Sequence, residues 1–322
     1  MASFSNRYGI MKDRLQKFLF EHAAIRGEFV NLTETWEQVQ ANHTYPPAVA
    51  NLLGEMLSAA VLLASNIKFN GTLIMQIQGD GPVSLLVAEC DSGMHIRATA
   101  KLVEDAVIPD DATLRQLVHA HGRGRFVMTL DMYDKVPGQL PWQGIVSLEG
   151  ENLAEVIENY MRQSEQLSTC IRLAANHTVS RGLLLQKLPE KTGEDGLSQK
   201  TEEETRAWEH LVALSSTLNR EEMLNTDIDT LRHRLFWEEN ILLFDPMKPV
   251  FSCSCSRQKV GDMFRMLGET EIRAALEEQD GNLTVNCDFC GQTHRFDRID
   301  ITRIFAEDAR AHPAAGPENA TH

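Results

Sequence analysis

Apolar positions recur at helical spacing through AVANLLGEMLSAAVLLA (48–64), a run of good helix formers opened by Pro46 and Pro47. The pattern then changes. TLIMQIQ (72–78) is rich in strand formers, GDGP (79–82) reads as a turn, and VSLLVA (83–88) as the returning strand, which predicts a hairpin. Residues 113–120 predict a short helix and 125–131 another strand. Residues 152–164 predict an amphipathic helix with Leu153, Val156, Ile157 and Tyr160 on one face. No period of 20–50 residues marks a repeat architecture.

The texture shifts at PEKTGEDGLSQKTEEET (189–205), which is polar, acidic and turn-prone, and reads as a loop or linker. Two helical stripes follow. Trp208, Leu211, Val212, Leu214 and Leu218 form the first; Leu224, Ile228, Leu231, Leu235 and Phe236 form the second. Between residues 189 and 245 there are 14 acidic and 6 basic residues, a net of −8. Helices this short are marginal in water, so each apolar stripe needs a surface to dock on. After Phe251 the pattern predicts a compact module. Residues 256–267 and 269–278 read as helices split by Gly268, Asp280 and Gly281 as a turn, LTVN (283–286) as a strand, and HRFD (294–297) as its return. The fold class is thus α+β. A mixed α/β domain spans 1–188, an acidic helical linker 189–245 and a small cysteine-bearing domain 246–305. An Ala-, Pro- and Gly-rich tail at 306–322 is expected to be disordered.

Four of the six cysteines fall in that last domain, as SCSC (252–255) and NCDFCG (286–291). The pattern is Cys253-x-Cys255, 31 residues, then Cys287-x-x-Cys290. Two close thiol pairs on separate segments fit one tetrahedral four-sulfur site, with one zinc ion per chain as the favoured occupant and an iron–sulfur cluster as its rival. Gly291 fits a knuckle in which backbone amides approach sulfur. The first pair, with a single intervening residue, is less usual for zinc. Four protein ligands leave no open position for hydrolytic chemistry. A purely structural zinc module is the plain reading of the same spacing.

Composition narrows the classes further. With 43% hydrophobic and 7% aromatic residues the chain is an ordinary globular sequence, and six cysteines in 322 residues are too few for a disulfide scaffold. The formal charge of −15 argues against an extended nucleic-acid surface, and residues 251–305 carry 7 basic against 9 acidic side chains. No signal-peptide core stands in residues 1–30, and the apolar run 59–64 is too short for a bilayer, so a cytoplasmic protein with neither nucleic-acid nor membrane partner is expected. Cys90 and Cys170 lie outside the motif and read as buried structural thiols. The scattered histidines suggest no catalytic triad; His294 is a weaker candidate ligand beside four cysteines.

Thiolates held by a metal are also what oxidants attack. Metal binding in such modules is worth about 10–16 kcal/mol of folding free energy, against a whole-domain margin of about 5–15 kcal/mol. Oxidation should therefore release the metal and unfold the module, and the acidic linker would follow. Close spacing favours the local bridges Cys253–Cys255 and Cys287–Cys290; the tighter ring of the first pair predicts that Cys287–Cys290 forms first. Trp208, Leu211, Leu218, Leu231 and Phe236 fit a core in the closed, metal-bound state. A thiol–disulfide oxidoreductase using Cys287 and Cys290 is the main alternative. It would need a thioredoxin-like setting for the pair.

The cysteine pattern, together with LLGEMLSAAVLLASNIKFNGTLIMQIQGDGPVSLLVAEC (52–90), GIVSLEGENLAEVIENYMRQSEQLSTCIRLA (144–174) and RLFWEENILLFDPMKPVFSCSCSR (234–257), resembles the 33-kDa heat shock protein family, the redox-regulated bacterial holdase chaperones. The resemblance implies a non-enzymatic, ATP-independent chaperone, inactive while reduced and zinc-bound. It implies that peroxide or hypochlorous acid, helped by unfolding conditions, releases zinc and melts the linker. The oxidised protein, as a homodimer, would then hold unfolding client proteins for refolding by other chaperones, with Trp208, Leu211, Leu218, Leu231 and Phe236, once unmasked, as candidates for the surface that binds them. The acidic stretch at 189–205 and the tail depart from the family pattern, and the first could alter how easily the linker melts.

Overall fold

The computed structural model describes residues 12–136, 138–188 and 202–311. The chain divides into two compact units, Met1–Ser252 and Cys253–His322. In the first, the elements in chain order are β1 (Arg14–Phe20), β2 (Ile25–Leu32), α1 (Glu34–Gln40), α2 (Pro47–Ala64), β3 (Gly71–Gln78), β4 (Val83–Asp91), β5 (His95–Leu102), α3 (Leu114–Val118), β6 (Arg125–Met132), β7 (Trp142–Ser147), α4 (Leu153–Gln163), β8 (Thr169–Ala175) and β9 (Ser180–Lys187). They continue with α5 (Glu202–Ser216), α6 (Arg220–Asn225), α7 (Ile228–Leu235), β10 (Ile241–Leu243) and β11 (Val250–Phe251). One sheet has the order β10-β1-β2-β9-β8, the other β11-β5-β4-β3-β6-β7. The pairings are antiparallel except β11 with β5. The predicted hairpin is β3–β4, with Thr72 opposite Asp91 and Gln78 opposite Leu85.

Helix α2 lies between the two sheets and is buried along almost its whole length, so it is a core helix rather than an amphipathic one. It is long and apolar enough, by length and composition alone, to cross a membrane, a stronger apolar segment than the run 59–64 suggested. Its polar exceptions are satisfied: Ser58 and Ser180 share a 2.5 Å hydroxyl contact, and Ser180 donates to the Gly54 carbonyl at 2.6 Å. Buried Asp13 anchors the start of α1, accepting from the backbone N–H of Thr33 (2.6 Å) and Thr35 (2.8 Å). That is the role the N-cap Thr33 does not fill with its own side chain.

The five-stranded sheet is apolar on both faces. Along β9, Leu184 points into the core around α2, whereas Leu183 and Leu185 point away from it; along β2, Val30 and Phe29 divide in the same manner. The second face carries Phe18, Phe20 and Phe29, and helices α5–α7 cover it with Leu211, Leu218, Met223, Ile228, Leu231 and Phe236. Phe236 stacks edge-on to Phe20 at 5.3 Å between centroids and lies 5.8 Å from Phe18. Gly27 is required under this cluster, since a Cβ there would sit 2.2 Å from the Phe18 ring.

Polar contacts fix the same helices. Arg14 pairs bidentately with Asp229 at 2.6 and 3.2 Å. Arg181 of β9 donates to the carbonyls of Met223 (2.8 Å), Leu224 (3.2 Å) and Thr226, which closes the open end of α6. Arg220 meets Glu55 at 2.6 Å. Partly buried Glu239 lies between His22 (2.7 Å) and His210 (3.2 Å).

The linker boundaries drawn from sequence shift accordingly. The part of 189–245 that is described, 202–245, belongs to the first unit, because its apolar stripes complete that unit's second core; residues 189–201 lie outside the described residues. The division falls after Ser252 rather than at 246, because Met247 bridges to Leu15 and β11 pairs with β5.

The second unit holds α8 (Arg257–Leu267), α9 (Glu269–Glu278), β12 (Asn282–Asn286), β13 (Thr293–Asp297) and α10 (Arg298–Ala311). Its core is small: Phe264, Ile272, Leu276, Leu283, Phe296 and Ile301. The helix α10 runs through 306–311, where the sequence reading has a disordered tail; Asp297 caps its first turn by accepting from the N–H of Asp300 at 2.8 Å, and the helix carries Ile301 into the core. Residues 312–322 of that tail lie outside the described residues.

Replacing Phe236 by Ala should cost about 3–5 kcal/mol, the usual penalty for an emptied aromatic site. The loss should be concentrated on α5–α7. Amide exchange is the measurement: faster exchange over 202–236 with α2 unchanged is expected, and uniform acceleration of both would contradict separate cores.

Candidate metal centre

The second unit brings two distant pieces of chain together at their cysteines. Ser252, whose N–H donates to the Ile96 carbonyl at 3.1 Å, ends the first unit, and Cys253 and Cys255 follow in irregular chain before Ser256 caps α8. Ser256 accepts from the Lys259 N–H at 3.2 Å, and the Lys259 ammonium donates to Ser254 Oγ at 2.7 Å, so the SCSC segment is held from the helix it precedes. Cys287 and Cys290 occupy the tip of the β12–β13 hairpin. Cys287 N–H donates to the Gln292 carbonyl and Gly291 N–H to the Cys287 carbonyl, both at 2.9 Å. Gly291 takes φ +67°, a conformation glycine adopts without steric cost, and this folds the knuckle tightly.

All four sulfurs lie within 4.8 Å of one another. Cys253 Sγ is 3.6 Å from Cys287 Sγ, and Cys255 Sγ is 3.4 Å from Cys290 Sγ. A tetrahedral ion with Zn–S bonds of about 2.3 Å sets its sulfurs about 3.8 Å apart, so the donor set and its size both fit. Without a cation the cluster favours the protonated thiols: burial and then the neighbouring thiols push Cys255 up, and burial raises Cys290. A soft divalent cation is what would make thiolates stable at this density. The sulfurs are partly exposed, within reach of small solutes.

The spacing-based candidates therefore meet in one place. His294 is buried on the β13 face that carries Phe296 and is not part of the sulfur cluster. Cys90 and Cys170 are buried in the first unit, their thiols raised chiefly by burial; Cys170 contacts Ser215 of α5 at 3.2 Å. Cys287-x-x-Cys290 sits on a hairpin tip, not at the strand-to-helix junction that a thioredoxin-like dithiol uses. The five apolar linker residues all belong to the second core: Leu211, Leu218, Leu231 and Phe236 are buried, and Trp208 packs beside them under Lys187. The cations Arg14 and Arg181, and the His22–Glu239–His210 contact, were not legible in sequence. Arg14 and Asp229 stand 215 residues apart, and no local pattern announces any of these contacts.

The fold and this cluster agree with what comparison finds. The profile of the family described as Hsp33 protein matches residues 13–297. The 33 kDa chaperonin of Pseudomonas aeruginosa is 42% identical over 294 residues, covering 91% of this chain and 95% of its own. That of Chromobacterium violaceum is 40% identical over 299 residues, covering 93% and 96%. Among solved structures, the 33 kDa chaperonin of Thermotoga maritima, a heat shock protein 33 homolog, superposes with a TM-score of 0.73 over 92% of this chain and 99% of its own, at 17% identity, a likeness of fold. On the strength of the family profile and these closely matching relatives, the chain belongs to the Hsp33 family, whose members are chaperones and not enzymes.

Proposed function

We propose that this chaperone is a redox-regulated, ATP-independent holdase of the cytoplasm, closed while its four cysteines hold zinc and opened when they are oxidised. The observation that carries the reading is the gathering of four thiols, at tetrahedral spacing, in a unit whose own core has six buried hydrophobic side chains among the described residues. Bound there, zinc would keep the sulfurs as thiolates and cross-link the SCSC segment to the hairpin tip, adding folding free energy on the order of the 10–16 kcal/mol seen for small zinc modules.

The chain's own residues supply the chemistry. Each pair of thiolates loses two electrons as its S–S bond forms. One peroxide accepts them and leaves as two hydroxides, so two equivalents oxidise the four sulfurs. In the folded unit close sulfur approaches run between segments, Cys253 to Cys287 at 3.6 Å and Cys255 to Cys290 at 3.4 Å. The local bridges Cys287–Cys290 and Cys253–Cys255 therefore form as the unit opens, when neighbours in sequence meet most often. The linker loses its hold next. Its 14 acidic against 6 basic residues between 189 and 245 repel one another once the cations at Arg14 and Arg181 are left behind. Both sides of the second core then face solvent, and Trp208, Leu211, Leu218, Leu231 and Phe236, with the sheet face beneath them, offer apolar surface to unfolding clients. The oxidised form would act as a homodimer. No nucleic-acid or membrane partner is part of this reading.

Zinc-loaded protein treated with peroxide at mildly elevated temperature should release one zinc per chain, become protease-sensitive between residues 202 and 236, and suppress aggregation of a thermally unfolding test protein. Equal suppression before and after treatment would overturn the switch. Peptide mapping at partial oxidation should show Cys287–Cys290 ahead of Cys253–Cys255; the reverse order contradicts it. Cys290→Ser should abolish stoichiometric zinc and lie partly open without oxidant, and full zinc retention would remove Cys290 from the ligand set. Turnover in an insulin-reduction assay would favour the oxidoreductase alternative.

A further inference from the structure

The first unit contains a cavity of about 450 Å³ away from the linker face and the cysteines, a volume usual for a small-ligand site. It lies where the C-terminal end of α2, strands β6 and β7 and the end of α4 meet the paired strands β2 and β9. Its walls are Leu63, Met128, Leu130, Met161 and Leu167, with the half-exposed Trp142 also lining it.

The polar side chains that line it are Arg26, Asn66, Ser164, Glu165 and Gln186. Arg26 and Gln186 are direct partners across β2 and β9, and both line the cavity. Gln186 is oriented: its amide N–H donates to Thr169 Oγ1 at 2.7 Å, which leaves its oxygen to accept from one Arg26 Nη. Among the described residues that amide is the hydrogen-bond partner of the guanidinium, and Arg26 Nε is buried with none. Behind Arg26 lies Glu28, which Lys17 approaches at 3.7 Å and Ser65 contacts by a 2.5 Å hydroxyl donation. Two cations thus share one carboxylate, and burial pushes that carboxylate toward its neutral form. The remaining acid, Glu165, is exposed and accepts from the Tyr160 hydroxyl at 3.2 Å. A guanidinium so placed, with one amide oxygen for company and its Nε buried without a partner, is under-paired for its degree of burial.

We propose that this cavity binds an aliphatic monocarboxylate, its head on the Arg26 guanidinium and its chain along Met128, Leu130, Met161 and Leu167. The methionines suit a flexible chain, since their side chains adapt to irregular shapes. Trp142 gives a flat apolar surface where the chain reaches solvent. The site is complete within residues 26–186, so it does not rest on the redox reading, and the reduced, zinc-loaded protein is the one to test.

The probe is decanoate below its micelle concentration, with decanol as the uncharged control, titrated into the full-length protein by calorimetry. Saturable one-to-one binding of decanoate is expected, at least about tenfold tighter than decanol. Arg26→Gln should erase that difference by weakening decanoate alone, and Leu130→Trp, which fills the cavity from a half-buried wall position, should abolish binding of both. Equal affinity for the two probes in the unmodified protein would overturn the assignment, as would decanoate binding that survives Leu130→Trp. Should Arg26→Gln fail to fold, the decanoate-to-decanol ratio and the Leu130→Trp result decide the matter without it.

Discussion

A sheet with two apolar faces cannot stand half covered in water, and the architecture of this chain follows from that constraint. Helix α2 buries one face of the five-stranded sheet against the six-stranded one. The other face, with its three phenylalanines, is left to α5–α7, which carry a heavy acidic load and are individually too short to persist alone. The result is two cores of different character on the two sides of the same strands. The first is built around a helix buried along nearly its whole length. The second is closed by short helices pinned through salt bridges and carbonyl contacts to Arg14 and Arg181. Partial opening of the second, with the first intact, is the natural low-energy excursion of such a molecule.

The second unit solves its own shortage of apolar side chains differently. Its aromatic pair, Phe264 and Phe296, stacks edge-on at 4.9 Å, with the Arg257 guanidinium 4.4 Å over the Phe296 ring and bonded to Asp300 at 2.8 Å. These contacts order α8, β13 and the start of α10. They do not reach the hairpin tip or the SCSC segment, which are gathered at the sulfurs. In the proposed mechanism the sulfur cluster is therefore both the closure of the unit and its point of chemical attack.

Much of this was legible in sequence, for identifiable reasons. The β3–β4 hairpin announced itself through a GDGP turn between alternating runs, and the α8–α9 break through Gly268, which takes φ +96°. The cysteine cluster was legible because the spacing of thiol pairs is a local property that the fold need only bring together. Strands β1, β2, β8 and β9 were not read, because strands buried on both faces lose the alternation that marks a half-exposed one; Leu183, Leu184 and Leu185 in succession carry no period. The linker helices were visible as stripes. That they complete the first unit's second core was not, since their docking partners, Phe18 and Phe20, stand two hundred residues earlier.

The strand β10, at the C-terminal end of the linker, pairs with β1 from Phe18↔Leu243 to Phe20↔Ile241, and β9 ends just before the linker in the same sheet. Whatever leaves the aromatic face in the proposed open state is consequently a tethered loop rather than a free arm, with both ends stapled to the sheet it has vacated. Such a loop samples its old seat at an effective concentration on the order of millimolar. Any guest on that face competes continuously with the molecule's own segment, so release needs no motor: a weakly held guest is displaced as soon as the segment regains its ability to fold.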